Sequence, residues 1–163
     1  MTNVKQTWDL ESIFPGGSSS PELQRQLDLV REKIASLKEQ VAGLTPDLDV
    51  EQFRSLVNSN QDVAMHLRQC SAFVGCLTAQ NVQDTKARLL QGDLGQISAT
   101  LGGVMTTIDQ ILVNIPDQRW EALLKDAELE VLAFPLTERR LVAKSKMEPK
   151  LEALANDLAV DGY

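Results

Sequence analysis

From Asp84 to Ile115 the apolar residues fall at alternating three- and four-residue steps. Ala87, Leu90, Leu94, Ile97, Leu101, Val104, Ile108, Ile111 and Ile115 form the series, and it never slips. Such spacing places the side chains on one narrow seam of an α-helix, the pattern of a helix packed lengthwise against others. Asp84 is the expected cap and Pro116 the stop. At ~1.5 Å per residue this helix is roughly 45 Å long. It cannot bury its seam alone, so the other helices must come to it.

They are legible on either side. Pro21 suits a first helical turn after a serine cap, and Leu23, Leu27, Val30, Ile34, Leu37, Val41 and Leu44 continue in heptad steps until Gly43 and Pro46. Arg25, Arg31, Glu32, Lys33, Lys38 and Glu39 take the other faces, as a solvated surface would. A second helix is expected from about Asp49, with Phe53, Leu56, Asn60, Val63, Leu67, Cys70, Val74 and Leu77 on its seam. Asn60 is the polar exception: a register-fixing buried amide, or a frayed or partly exposed turn. Gln80 to Gln83 then makes a brief turn, so the second and third helices read as an antiparallel hairpin.

Small residues raise an expectation of close packing. Ala64, Ser71, Ala72, Gly75 and Ala79 line the second helix, and Gly92, Gly95, Gly102 and Gly103 lie inside the third. Each interior glycine costs up to ~1 kcal/mol relative to alanine. Tight crossings, or a bend at Gly102-Gly103 acting as a hinge, would account for them.

The ends are less regular. Trp8, Leu10, Ile13 and Phe14 make a short apolar arm before Pro15-Gly16-Gly17-Ser18-Ser19-Ser20 breaks regular structure. The arm packs either on the chain's own helices or on a domain beyond it. After Pro116, Asp117–Leu124 reads as a short capped helix and Asp126–Leu132 as a brief turn. Phe134-Pro135-Leu136-Thr137 is a break, followed by a helix from Thr137 to about Lys146 and another from Pro149 carrying Leu151, Leu154 and Leu158. The fold class is all-α, antiparallel long-helix hairpins or a bundle with short C-terminal helices. Residues 1–20 are the arm and linker, and 21–163 the helical domain. Asp161-Gly162-Tyr163 closes on an aromatic without a polar tail, the expected look of a chain cut from a longer one.

Composition narrows the function classes. The formal charge is −7, with no basic stripe, and aromatics make up 4%. Phosphate binding and base stacking both lack their residues, so nucleic acid is not an expected partner. No apolar run reaches about 18 residues, so no membrane span is expected. The N-terminus shows neither a basic n-region nor an apolar h-region, which points to the cytoplasm. Cys70 and Cys76 are six residues apart on a helix, about 9 Å along its axis, beyond disulfide reach and outside metal-ligand spacing.

Chemistry is not visible. His66 is the single histidine, expected on the flank of the second helix's seam, so no His-x-x-x-His pair exists. No phosphate-binding glycine motif occurs, and acidic pairs such as Glu128 and Glu130 read as solvated faces. Catalytic, cofactor-binding and metal-binding residues are all expected to be none.

The two ends together resemble a family. Trp8-Asp9-Leu10-Glu11-Ser12-Ile13-Phe14, then a loop and a long amphipathic helix, looks like the opening of the oligoendopeptidase F group, zinc metallopeptidases of the thimet-oligopeptidase clan. Phe134-Pro135-Leu136-Thr137-Glu138-Arg139-Arg140, Met147-Glu148-Pro149, Leu151-Glu152-Ala153-Leu154 and Asp157-Leu158 to Asp161-Gly162-Tyr163 are similar to the segment leading into that family's next region. The resemblance implies the non-catalytic N-terminal part of a longer peptidase. Its zinc and its His-Glu-x-x-His helix would lie beyond residue 163, in a catalytic domain that would be this region's partner. Short peptides would be the substrates, and these helices one wall of the channel admitting them. Seams left uncovered would offer a route to homo-oligomers. The alternative is a free-standing helical bundle or coiled-coil interaction module whose exposed seam binds a partner helix.

Overall fold

The computed structural model describes residues 9–146 and, beyond them, positions 151, 154, 155 and 158. Three long helices dominate: α1 (Pro21–Ala42), α2 (Val50–Gln80) and α3 (Thr85–Asn114). Shorter helices follow as α4 (Asp117–Leu123), α5 (Ala127–Glu130) and α6 (Ala133–Lys144). The architecture is all-α, with no strand among the described residues. α1, α2 and α3 pack pairwise as an up-down-up bundle, and α6 lies against α3. α3 is therefore the common partner, as its uninterrupted seam requires.

The heptad seams are the core. Leu23, Leu27, Val30, Ile34, Leu37 and Val41 of α1 are buried. They meet Phe53, Leu56, Val63, Leu67, Cys70, Val74 and Leu77 of α2, and Ala87, Leu94, Ile97, Val104, Ile108 and Ile111 of α3. Capping follows the same logic. Ser20 accepts from the Leu23 amide at 3.3 Å, Asp49 and Gln52 form a reciprocal capping box, and Asp84 accepts from the Ala87 amide at 3.0 Å. Asn60 sits half-buried in a helix that runs unbroken through it, so the seam is only partly exposed there and does not fray.

The arm docks on the chain itself. Leu10 and Phe14 are buried, and the Phe14 ring meets Phe73 edge-on with centroids 4.9 Å apart. The linker is not wholly irregular, since Gly17–Ser19 forms one 3₁₀ turn. Gly16 and Gly17 have φ of 90° and 59°, a left-handed pair that turns the chain from Phe14 into the α1 cap. Trp8 lies outside the described residues.

Other expectations are corrected. A Cβ on Gly75, Gly92, Gly95 or Gly103 would meet nothing within 4 Å among the described residues, so these glycines mark no tight crossing. Ser71, Ala72, Gly75 and Ala79 are likewise exposed. The Thr106 and Thr107 hydroxyls donate to the carbonyls of Gly102 and Gly103, at 3.1 and 3.4 Å. Such back-bonding bends a helix slightly, yet α3 stays continuous. Phe134-Pro135-Leu136-Thr137 does not interrupt the chain: α6 begins at Ala133 and runs through it. Pro135 occupies the third helical position, where its missing N–H would have found no intrahelical acceptor. α4 has no side-chain cap, its preceding residue being Pro116. The helix expected from Pro149 falls mostly outside the described residues; Leu151, Leu154 and Leu158 are helical and exposed.

Candidate functional site

The C-terminal end of α3 creates a chemical demand. Leu112 would normally give its carbonyl to the amide four residues on, but that residue is Pro116, which has none. Arg140 of α6 fills the vacancy, donating from Nε to the Leu112 carbonyl at 2.8 Å and from Nη2 to the Ile115 carbonyl. A cation there also faces the negative end of the helix dipole. Arg140 is buried, stacks over Trp120 at 4.9 Å from its ring centre, and pairs with Asp117 at 2.9 Å. That contact, with Lys144 nearby, holds the Asp117 carboxyl below its usual range.

One turn earlier, Asp109 of α3 is buried at 3% exposure. Arg139 donates to its Oδ1 from Nε at 2.8 Å, with Nη2 at 2.7 Å, while Lys146 reaches Oδ2 at 2.9 Å. Two cations thus share one carboxylate. The inward face of α6 is thus mixed, with Arg139 and Arg140 lying beside Leu136 and Ala143. Arg139 and Arg140 face its own domain, whereas Phe134, Leu141 and Val142 point outward, 77%, 60% and 53% exposed. Val131, before the helix, is likewise exposed.

A cleft of about 290 Å³ opens between α2, α3 and α6. Phe53, Leu56, Val57, Ile108 and Leu112 form its floor, and Leu132, Pro135 and Leu136 one side. Asn60, Gln61 and Arg139 supply its polar atoms. Phe53 is held from behind by Trp120, edge-on at 5.6 Å between ring centres.

His66 sits elsewhere, on the flank of α2, with side-chain exposure of 20%. Its Nε2 lies 3.4 Å from Asp62 and its Nδ1 contacts the Gln26 amide. Lys33 binds Asp62 from α1, and this hydrogen bond is the main reason the Asp62 carboxyl is held low. Cys70 is buried, Cys76 half-buried, and both are free thiols. Glu128 pairs with Arg54 at 3.0 Å, while Glu130 stays exposed. Among the described residues no group of His, Cys, Asp and Glu converges to hold a metal ion. The zinc of the resembled family therefore finds no fitting donor set in them. No described helix is long and apolar enough to cross a membrane.

The sequence patterning missed Asp109, Arg139 and Arg140. Pro116, four residues after Leu112, was the available signal, because it orphans a carbonyl that some donor must meet.

The stretch beginning at that carbonyl is also the one that known families recognise. Residues 112–163 match the family model described as Oligopeptidase F. That stretch is similar to the N-terminal region of oligopeptidase F. Comparison with curated proteins and with solved structures gives no match. The oligopeptidase F match covers α4, α5 and α6, with the apolar ridge of Phe134, Leu141 and Val142, and leaves α1, α2 and most of α3 outside it.

Proposed function

We propose that this chain is the non-catalytic helical N-terminal region of a zinc oligoendopeptidase, forming part of the wall of its substrate channel. The observation that carries the reading is the exposed apolar side of α6, Phe134, Leu141 and Val142, which lies inside the oligopeptidase F match. A helix that spends its arginines inward and leaves phenylalanine, leucine and valine in water is built to be covered. In this reading the cover is the catalytic domain of the same polypeptide. That domain brings the zinc, and short peptides pass between the two.

The wall selects by shape, which needs rigid helices and no reactive group. α1–α3 supply that rigidity through their packed seams. The family match of α4–α6 favours this reading over a free-standing interaction module.

The test is made in the full-length enzyme. Phe134→Ser with Leu141→Ser should lower peptidase activity by about tenfold or more, while the 163-residue chain carrying the same changes keeps its melting temperature. Unchanged turnover and unchanged peptide-length preference would refute the reading. So would a downstream reading frame without a His-Glu-x-x-His segment.

A further inference from the structure

We propose that the cleft between α2, α3 and α6 is an anchoring site for the C-terminal residue of a peptide, taking an apolar side chain and its free carboxylate. Three features converge on this ligand. The floor of Phe53, Leu56, Val57, Ile108 and Leu112 is apolar, and the volume of about 290 Å³ sits at the small end of ligand pockets, near the lower bound of roughly 300 Å³. It suits a side chain better than a folded partner.

The rim is the second feature. Arg139 lines the cleft and shares Asp109 with Lys146, so among the described residues this cluster sets two cations against one carboxylate, a formal excess of one positive charge. The Arg139 and Lys146 side chains are 34% and 37% exposed, open enough to meet a ligand. The nearest acid on α2, Asp62, follows Gln61 and is already occupied by Lys33. In a protein of net charge −7, a cationic edge on an apolar cleft is complementary to a carboxylate attached to a hydrocarbon group.

The third feature separates a peptide from a fatty acid. Asn60 and Gln61 place two side-chain amides at the cleft, and neither is hydrogen-bonded within the described residues. Each offers a donor and an acceptor, matching the N–H and C=O of a peptide group; an alkyl chain would use neither. The choice of a peptide also rests on the peptidase reading above. The site adds to that reading a preference for peptides whose free apolar C-terminus lies near the mouth of the channel.

The experiment is calorimetric titration of the 163-residue chain with acetyl-Gly-Ala-Phe as the free acid, the same peptide as its C-terminal amide, and decanoate. The acid should bind, with the amide about tenfold weaker or more, a difference of about 1.4 kcal/mol. Decanoate should be weaker than the acid. Leu136→Trp, which fills the cleft, should abolish binding. Arg139→Gln should remove the preference for acid over amide, and Arg139→Lys should retain it. Circular dichroism checks that each variant is folded, and Asn60→Ala, a milder change, should weaken acid and amide alike.

Equal binding of acid and amide by the parent chain, no binding of either at millimolar peptide, or decanoate binding as tightly as the acid would overturn the proposal. The ridge residues Phe134 and Leu141 do not line the cleft, so Phe134→Ser and Leu141→Ser should leave peptide affinity unchanged. Loss of activity in the ridge variants without any peptide binding here would sink this site and leave the channel-wall reading standing.

Discussion

Replacing Asp109 by Asn removes the charge from the junction of α3 and α6 while keeping the side chain's shape. Asp109 is 3% exposed and accepts from two cationic partners at 2.7–2.9 Å. Hydrogen bonds to a charged group contribute about 1.5–3 kcal/mol each, against about 0.5–1.5 for neutral ones. Breaking a fully buried ion pair costs about 3–5 kcal/mol because the partner is stranded. Here the partners are not stranded, since Arg139 and Lys146 are about a third exposed and can turn to water. The loss is then about 1 kcal/mol per pair and about 2 kcal/mol in all. For a chain of this size that lowers the melting temperature by roughly 4–8 °C.

The assay is thermal and urea unfolding followed by far-ultraviolet circular dichroism and by tryptophan fluorescence, Trp120 being stacked under Arg140. A double-mutant cycle with Arg139→Gln should return a coupling of about 0.5–3 kcal/mol. The cost should persist in about 1 M salt, because a part-buried pair is screened little, whereas the exposed Arg25–Glu22 pair should contribute nothing measurable there. A change smaller than about 0.5 kcal/mol for Asp109→Asn, or strict additivity with Arg139→Gln, would refute the assignment of this triad as what fastens α6.

The remaining expectations are simpler. Gly92→Ala, Gly95→Ala and Gly103→Ala should each stabilise the isolated chain by up to about 1 kcal/mol, because a Cβ at these helical positions has open space among the described residues; urea midpoints that fall would show a contact with something else. Stability should be level at neutral pH and decline as pH falls below the ordinary carboxylate value of 3.8. Asp62 is held low by its hydrogen bond from Lys33, Asp84 by the Ala87 amide and Asp117 by Arg140, so the unfolded chain takes up protons first and the stabilisation is lost as the folded carboxylates titrate. Asp84→Asn should make that decline shallower in pH-dependent urea melts. Burial raises the Cys70 thiol above its ordinary value, so a thiol reagent should label half-buried Cys76 first and reach Cys70 only on unfolding; equal native rates would contradict the packing.

What could be read from the sequence and what could not divide along one physical line. α1, α2 and α3 obey a rule that is local and periodic: an apolar residue at every third or fourth step, a cap before it, a glycine or proline after it. Leu27, Phe53 and Ile108 are buried where that rule puts them. α6 follows it only in part: Leu136 and Ala143 face the bundle at helical spacing, but the position between them is taken by Arg139 and Arg140, which answer what α3 leaves unsatisfied. Arg139 and Arg140 turn toward α3, while Phe134 and Leu141 are exposed. The deciding residue is Pro116, distant in sequence from α6, whose missing amide hydrogen frees the Leu112 carbonyl that Arg140 takes up. The cleft was hidden for the same reason: α2, α3 and α6 each contribute a part of it, and none of them carries a motif. Only the resemblance of Phe134–Arg140 to a peptidase segment marked this region beforehand, and within it α6 leaves Phe134, Leu141 and Val142 exposed while Arg140 closes the end of α3.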